Sequence, residues 1–147
     1  VRSEVLSQKR DINQLRSEIS EMRRKVHAGH PNPSSDFDLK HDSGGMVDIE
    51  FIVQFLVLAY SNTFPQLLGN LGNIALLRIA GEVELIPTQL AQKVADAYRF
   101  FRARQHRLRL DGADKTRVDL ALELPLVEAR EAVLSLWQEI FQVPSST

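Results

Sequence analysis

The chain has 147 residues, a formal net charge of -1 and no cysteine. Its length is that of one domain, and 44% hydrophobic with 25% charged residues is ordinary for a packed globular fold. The balanced charge argues against nucleic acid or an acidic membrane surface as the main partner. The lack of cysteine excludes disulfides, thiolate zinc sites and cysteine nucleophiles.

The most apolar stretch, residues 46–60, is interrupted by Asp48, Glu50 and Gln54, so we expect no membrane-spanning helix. Charged residues from the second position onward do not resemble a signal peptide. The lack of cysteine is compatible with a cytoplasmic protein, which we expect here. The first residue is not Met, and we therefore expect that the chain was cut from a longer one.

Helical periodicity predicts five helices along the chain. They cover residues 5–26, 46–61, 70–79, 87–110 and 125–142. We expect the first to stop at Gly29 and the third at Gly81, because glycine suits a helix end. The second is apolar on nearly all sides, which is typical of the central helix of a bundle.

Residues 36–40 alternate polar and apolar side chains, which predicts a short half-buried strand before a turn at residues 42–45. One strand cannot form a sheet, so it pairs with strands outside this chain, pairs with a second copy, or is irregular. We favour the first alternative. The leading helix and strand then end a preceding domain, and a helical bundle begins at about residue 46.

The turn and the helix after it hold the most informative polar residues. Gly44 and Gly45 permit close backbone approach, and the free N–H groups of a helix start can face a phosphate; a plain strand-to-helix turn is the alternative. Asp48 suits a first helical turn through the helix dipole alone. Glu50 and Gln54 share one face among apolar neighbours, so we expect Glu50 to be buried and paired, for example with an Arg of another helix, slightly ahead of catalysis.

Three other sets of polar residues have plainer alternative roles. Asp36 and Asp38 lie on the same face of a strand, as paired magnesium ligands do, but only Pro-Ser-Ser precedes them where nucleotidyltransferases place Gly-Ser. His27 and His30 lack a third ligand, and a solvated helix end is favoured. The arginines of residues 99–109 could meet phosphates or an acidic partner, although most are expected on a solvated helix face.

Several stretches resemble glutamine synthetase adenylyltransferases, at the end of their C-terminal, adenylylating half. They are Phe37-Asp-Leu-Lys40, Gly44-Gly45-x-x-Asp48-Ile-Glu-Phe51, Gln54-x-Leu-Val-Leu, Ser135-Leu-Trp-Gln and Met22-Arg-Arg-Lys25. The resemblance implies an all-α, up-and-down helical bundle of the nucleotidyltransferase substrate-binding-domain type at residues 46–147. Residues 1–45 would be the helix and short strand left from a truncated nucleotidyltransferase domain.

The resemblance also implies a function: transfer of AMP from ATP, with Mg²⁺, to a tyrosine of glutamine synthetase, under control of glutamine and the PII signalling protein. Carried over to this chain, Asp48 is the candidate third acidic group at the metal, and Glu50 is the second candidate. Lys40, Gly44 and Gly45 would lie near the phosphates. In the full-length enzyme, Asp48→Asn is then expected to reduce AMP transfer by several orders of magnitude with little change in the melting temperature.

The core of that family, a Gly-Ser followed about ten residues later by Asp-x-Asp, is missing from this chain. We therefore expect the chain alone to be inactive, to bind neither ATP nor Mg²⁺ tightly, and to position the substrate or a regulator beside an upstream nucleotidyltransferase domain. The alternative is a non-catalytic helical module that binds a partner through apolar grooves and the arginines of residues 99–109.

Overall fold

The structure, a computed structural model, describes residues 2–68, 72–112 and 117–141, with side chains from residue 12 onward except at residue 122. Five helices and two short strands lie in these ranges. They are α1 (Arg2–Gly29), β1 (Phe37–Asp38), α2 (Met46–Tyr60), α3 (Asn73–Glu82), α4 (Thr88–Leu110), β2 (Arg117–Val118) and α5 (Leu124–Phe141), with 3-10 turns at Pro65–Leu68 and Leu120–Leu122. The predicted all-α helical bundle is confirmed.

Helix ends differ from the predictions in one instructive place. α1 ends at Gly29 as expected, but α3 continues to Glu82, and Gly81 is a buried residue within it. A Cβ atom on Gly81 would lie 2.8 Å from the Cβ of Ala91, so this glycine lets α3 approach α4 closely. The predicted start of the third helix at Asn70 and the predicted end of the last helix at Gln142 fall outside the described residues.

The strand of residues 37–38 has a partner within this chain, and the expectation of an external partner is wrong. β1 pairs antiparallel with β2, and Phe37 lies opposite Val118. β2 is only two residues long, so it shows no alternation from which a strand is predicted. The pairing places the segment before α2 against the segment after α4.

One hydrophobic core runs through the described part of the chain, with α2 at its centre. Ile49 and Ile52 of α2 are completely buried, and Ile19 of α1 belongs to the same core. Phe37 packs against Phe101 of α4 with 6.0 Å between ring centroids. Side chains before and after residues 45/46, where the domain boundary is predicted, therefore share one core. The boundary itself stays a prediction about the longer protein. None of the described helices is long and apolar enough to cross a membrane.

Candidate functional site at the Gly-Gly turn

Gly44 is held against α5 by close packing. Its φ of +85° lies in the left-handed region, and a Cβ there would be 2.6 Å from Cγ of Arg130 and 3.1 Å from Cγ of Leu134. Arg130 donates from Nε to the carbonyl of Ser43 over 3.0 Å, and its guanidinium lies over the ring of Phe37. The glycine thus allows one arginine of α5 to contact both the turn and the strand before it.

Gly45 and the first residues of α2 bind back to the segment that precedes them. A Cβ on Gly45 would lie 2.5 Å from the carbonyl oxygen of Leu39. Three N–H groups donate to carbonyl groups of that segment: Gly45 to Asp42 at 2.9 Å, Met46 to Leu39 at 2.8 Å and Val47 to Lys40 at 3.0 Å. These donors already have partners, which is what a strand-to-helix turn requires. Contact of Lys40, Gly44 and Gly45 with phosphates stays a prediction.

Asp48 is completely buried and its carboxylate is surrounded by donors. Oδ1 accepts from Nε of Arg23 at 2.9 Å, and Oδ2 accepts from Nη2 of the same side chain at 2.7 Å. Oδ2 also accepts from the N–H of Gly44 at 2.7 Å. Nε2 of His27 lies 3.3 Å from Oδ1, but not in hydrogen-bond geometry. The carboxylate therefore joins α1 to the turn as well as to α2.

Arg23 connects this pair to a third helix. Its guanidinium carbon lies 3.9 Å from the ring centroid of Trp137 on α5, and the Arg23 side chain is only 17% exposed. Arg23 is not among the candidate residues predicted from the sequence, because an arginine on a helix is ordinarily expected on the solvated face. Arg23 lies four residues after Ile19 and three before Val26, which is the spacing of one helix face, and these apolar neighbours are the signal that it faces inward.

A magnesium ion does not fit the acidic groups of the described residues. Among the described residues, no group of three or more His, Asp and Glu side chains is placed to hold a metal. The oxygens of Asp48 are already engaged by Arg23 and Gly44. Asp38, at the end of β1, accepts at Oδ1 from the N–H of Lys40 and so stabilises the bend that follows the strand. The assignment of Asp48 to a metal stays a prediction.

Glu50 is exposed, so the expectation of a buried Glu50 paired with an arginine is wrong. The arginine partner belongs to Asp48 instead. Glu50 accepts at Oε2 from the hydroxyl of Tyr98 at 3.1 Å, and that hydroxyl accepts from Nδ2 of Asn73 at 3.0 Å. Burial raises the pKa of the Tyr98 hydroxyl; the Asn73 hydrogen bond lowers this pKa, and the charge of Glu50 adds to the rise.

The histidines at the end of α1 divide between two environments. His30 is exposed, as a solvated helix end requires, and its ring stacks on that of His41 with 3.8 Å between centroids. His27 is half-buried and faces Asp48. The prediction of a solvated helix end is therefore confirmed for His30 and wrong for His27, because Asp48 was not expected beside α1.

The arginines of α4 are mostly on its outer side, as predicted. Arg99 and Arg102 are exposed, and Phe101 between them is completely buried. Arg104 forms a two-point ion pair with Glu123, with N···O distances of 2.7 and 3.3 Å. One arginine of this stretch thus joins α4 to the segment that leads into α5.

Known proteins resemble this chain over most of its length. Residues 10–131 match the family model described as GlnD PII-uridylyltransferase. Similar curated proteins are named bifunctional glutamine synthetase adenylyltransferase/adenylyl-removing enzyme. The one from Bordetella bronchiseptica is 51% identical over 142 residues, covering 97% of this chain and 15% of the relative. The one from Ralstonia nicotianae is 54% identical over 143 residues, covering 96% of this chain and 14% of the relative.

Proposed function

The chain belongs to the family that the GlnD PII-uridylyltransferase model describes, and we propose that it is the C-terminal helical part of an enzyme that transfers AMP from ATP to a tyrosine of glutamine synthetase. The observation that carries this proposal is the 51% identity, over 97% of the chain, to a protein named for that activity. In the reaction, the tyrosine oxygen bonds to the α-phosphorus of ATP and pyrophosphate leaves.

This chain spans about 15% of the length of that relative. We propose that the larger part of the polypeptide contains the nucleotidyltransferase domain that holds ATP and Mg²⁺, and that PII regulates the full-length enzyme in the cytoplasm. The helical bundle then serves to position the protein substrate or a regulator beside that domain. Of the two candidate carboxylates, Asp48 holds the Gly-Gly turn through Arg23 and Gly44, whereas Glu50 is on the surface.

The direct test uses the full-length enzyme with glutamine synthetase, Mg²⁺ and labelled ATP. We expect AMP on a tyrosine of glutamine synthetase, detected by mass spectrometry of its peptides. The matched control supplies UTP and the PII protein in the same buffer. Transfer of UMP to PII without transfer of AMP to glutamine synthetase contradicts the proposal, and a lack of both transfers favours the non-catalytic interaction module.

The 147-residue chain is assayed in parallel. We expect no transfer by it, because no group of metal ligands is placed among its described residues. AMP transfer by the pure chain would refute the assignment of a positioning role to this part of the enzyme.

A further inference from the structure

One face of the central helix α2 is not covered by other described residues. Glu50, Gln54 and Leu58 are all exposed, and because they are four residues apart they form a single row, which we call the α2 stripe. Leu58 retains 56% of its accessible surface. The remainder of α2 faces inward, with eight buried residues from Met46 to Leu56. A helix that is apolar on most sides thus leaves one mixed polar and apolar row open.

The charged end of the α2 stripe is held in place before any partner binds. The carboxylate of Glu50 accepts a hydrogen bond from Tyr98, and the Tyr98 hydroxyl accepts one from Asn73. Tyr98 itself is 7% exposed and belongs to the core, so its hydroxyl is a fixed donor. A side chain ordered in advance loses less conformational entropy on association. Glu50 is therefore presented in one direction at the surface.

We propose that the α2 stripe docks onto the remaining part of the same polypeptide, which presents a lysine or arginine to Glu50 and an apolar side chain to Leu58. This inference rests on the proposed function, in which the chain is one part of a larger enzyme. The chain spans about 15% of the length of the Bordetella relative, so most of such a polypeptide lies outside the structure. Glu50 is the one charged residue of the stripe, since Gln54 and Leu58 are neutral, and its complement is a cation.

A second copy of the chain fits the α2 stripe less well. A symmetric contact centred on Gln54 sets Glu50 of one copy against Leu58 of the other. That contact removes water from a carboxylate without supplying a charge or a donor in return, which is unfavourable. A different segment of the same polypeptide is not bound by this symmetry, so it can present a cation to Glu50 and an apolar side chain to Leu58. The mixed polar and apolar character of the stripe is also typical of contacts between domains of one chain.

Single cysteines in the full-length enzyme test this docking. The 147 residues contain no cysteine, so Gln54→Cys adds one thiol to a segment that peptide mass spectrometry can follow. Gln89→Cys on α4 and Gln138→Cys on α5 are matched controls, because both glutamines are exposed and lie outside the stripe. We expect N-ethylmaleimide to modify Cys at position 54 about tenfold more slowly than at either control position. Equal rates at the three positions would overturn the proposal.

A second variant identifies the contact that protects position 54. Glu50→Arg, combined with Gln54→Cys, places like charges at the docking surface and should raise the labelling rate to that of the controls. Unchanged protection in this double variant would overturn the proposed cation partner. Protection that increases with protein concentration would identify a second copy as the occupant and would also overturn it. The labelling needs no AMP transfer, so its failure and the failure of the proposed function are distinguishable.

Discussion

Arg23 and Asp48 form a two-point ion pair between the end of α1 and the start of α2, with N···O distances of 2.7 and 2.9 Å. The two residues are 25 positions apart, and the Asp48 side chain has no exposed surface. Trp137 lies under the guanidinium from the side of α5. One charged pair therefore fixes three helices around the Gly-Gly turn.

We predict that Asp48→Asn lowers the free energy of unfolding by about 3 kcal/mol, because it leaves the largely buried guanidinium of Arg23 without its counter-charge. This reverses the expectation from the sequence, in which the same change spares stability. Urea unfolding followed by fluorescence measures the effect, since Trp137 is the single tryptophan of the chain and is 3% exposed.

Two further variants separate a structural role of Asp48 from a catalytic one. Glu50→Gln should lower stability by less than about 1 kcal/mol, because Glu50 is exposed and retains an acceptor for Tyr98. The pair Arg23→Met with Asp48→Leu should cost less than Asp48→Asn alone, since neither charge is left buried. If Asp48→Asn leaves the urea midpoint unchanged and abolishes AMP transfer by the full-length enzyme, the metal assignment is correct instead.

Gly44→Ala should be more destabilising than Gly112→Ala. Both glycines have φ near +85°, but a Cβ on Gly112 meets nothing within 4 Å, whereas one on Gly44 meets Arg130 at 2.6 Å. We expect a loss of about 1 kcal/mol at Gly112 from the backbone alone, and of about 3 kcal/mol at Gly44 from backbone and overpacking together. Thermal or urea unfolding of the two variants measures the difference. Equal losses would show that Arg130 moves aside at no cost.

Stability should fall at alkaline pH through Tyr98. Burial raises the pKa of its hydroxyl in the folded protein, so the unfolded chain releases this proton first, near the ordinary value of about 10. The stability that Tyr98 contributes is fully present below that pH. It is lost as the pH rises further, because the folded state then holds a proton that the unfolded chain has released. Urea unfolding from pH 9 to about pH 11 should show a shallower decline for Tyr98→Phe. Parallel curves for the two proteins would contradict this prediction.

The Arg104–Glu123 pair should contribute little by comparison. Both side chains are 26% exposed, so water screens their charges more than those of Arg23 and Asp48. We predict that Arg104→Gln lowers the free energy of unfolding by less than about 1 kcal/mol, and that added salt reduces this difference further. A loss as large as that of Asp48→Asn would mean that the segment at Glu123 depends on this pair.

Local patterns were sufficient for the helices and for the location of the candidate site. Helix α2 was predicted at residues 46–61 and is observed at Met46–Tyr60. The prediction succeeds because it depends only on the spacing of apolar residues within one or two helical turns. The Gly44–Gly45 turn and the motif that carries the family resemblance are equally local. These features depend on neighbours in the sequence, and the amino-acid sequence by itself determined them.

Tertiary structure alone decided which side chains meet. The partner of Asp48 is on another helix, the partner of β1 follows α4, and Glu50 is exposed because no described residue covers its side of α2. Periodicity predicts whether a helix face is apolar or polar, but it does not indicate which distant helix or strand packs against that face. For this reason the burial and the arginine partner expected at Glu50 are found at Asp48 instead: the packing of α1 buries Asp48, and Glu50 is at the surface.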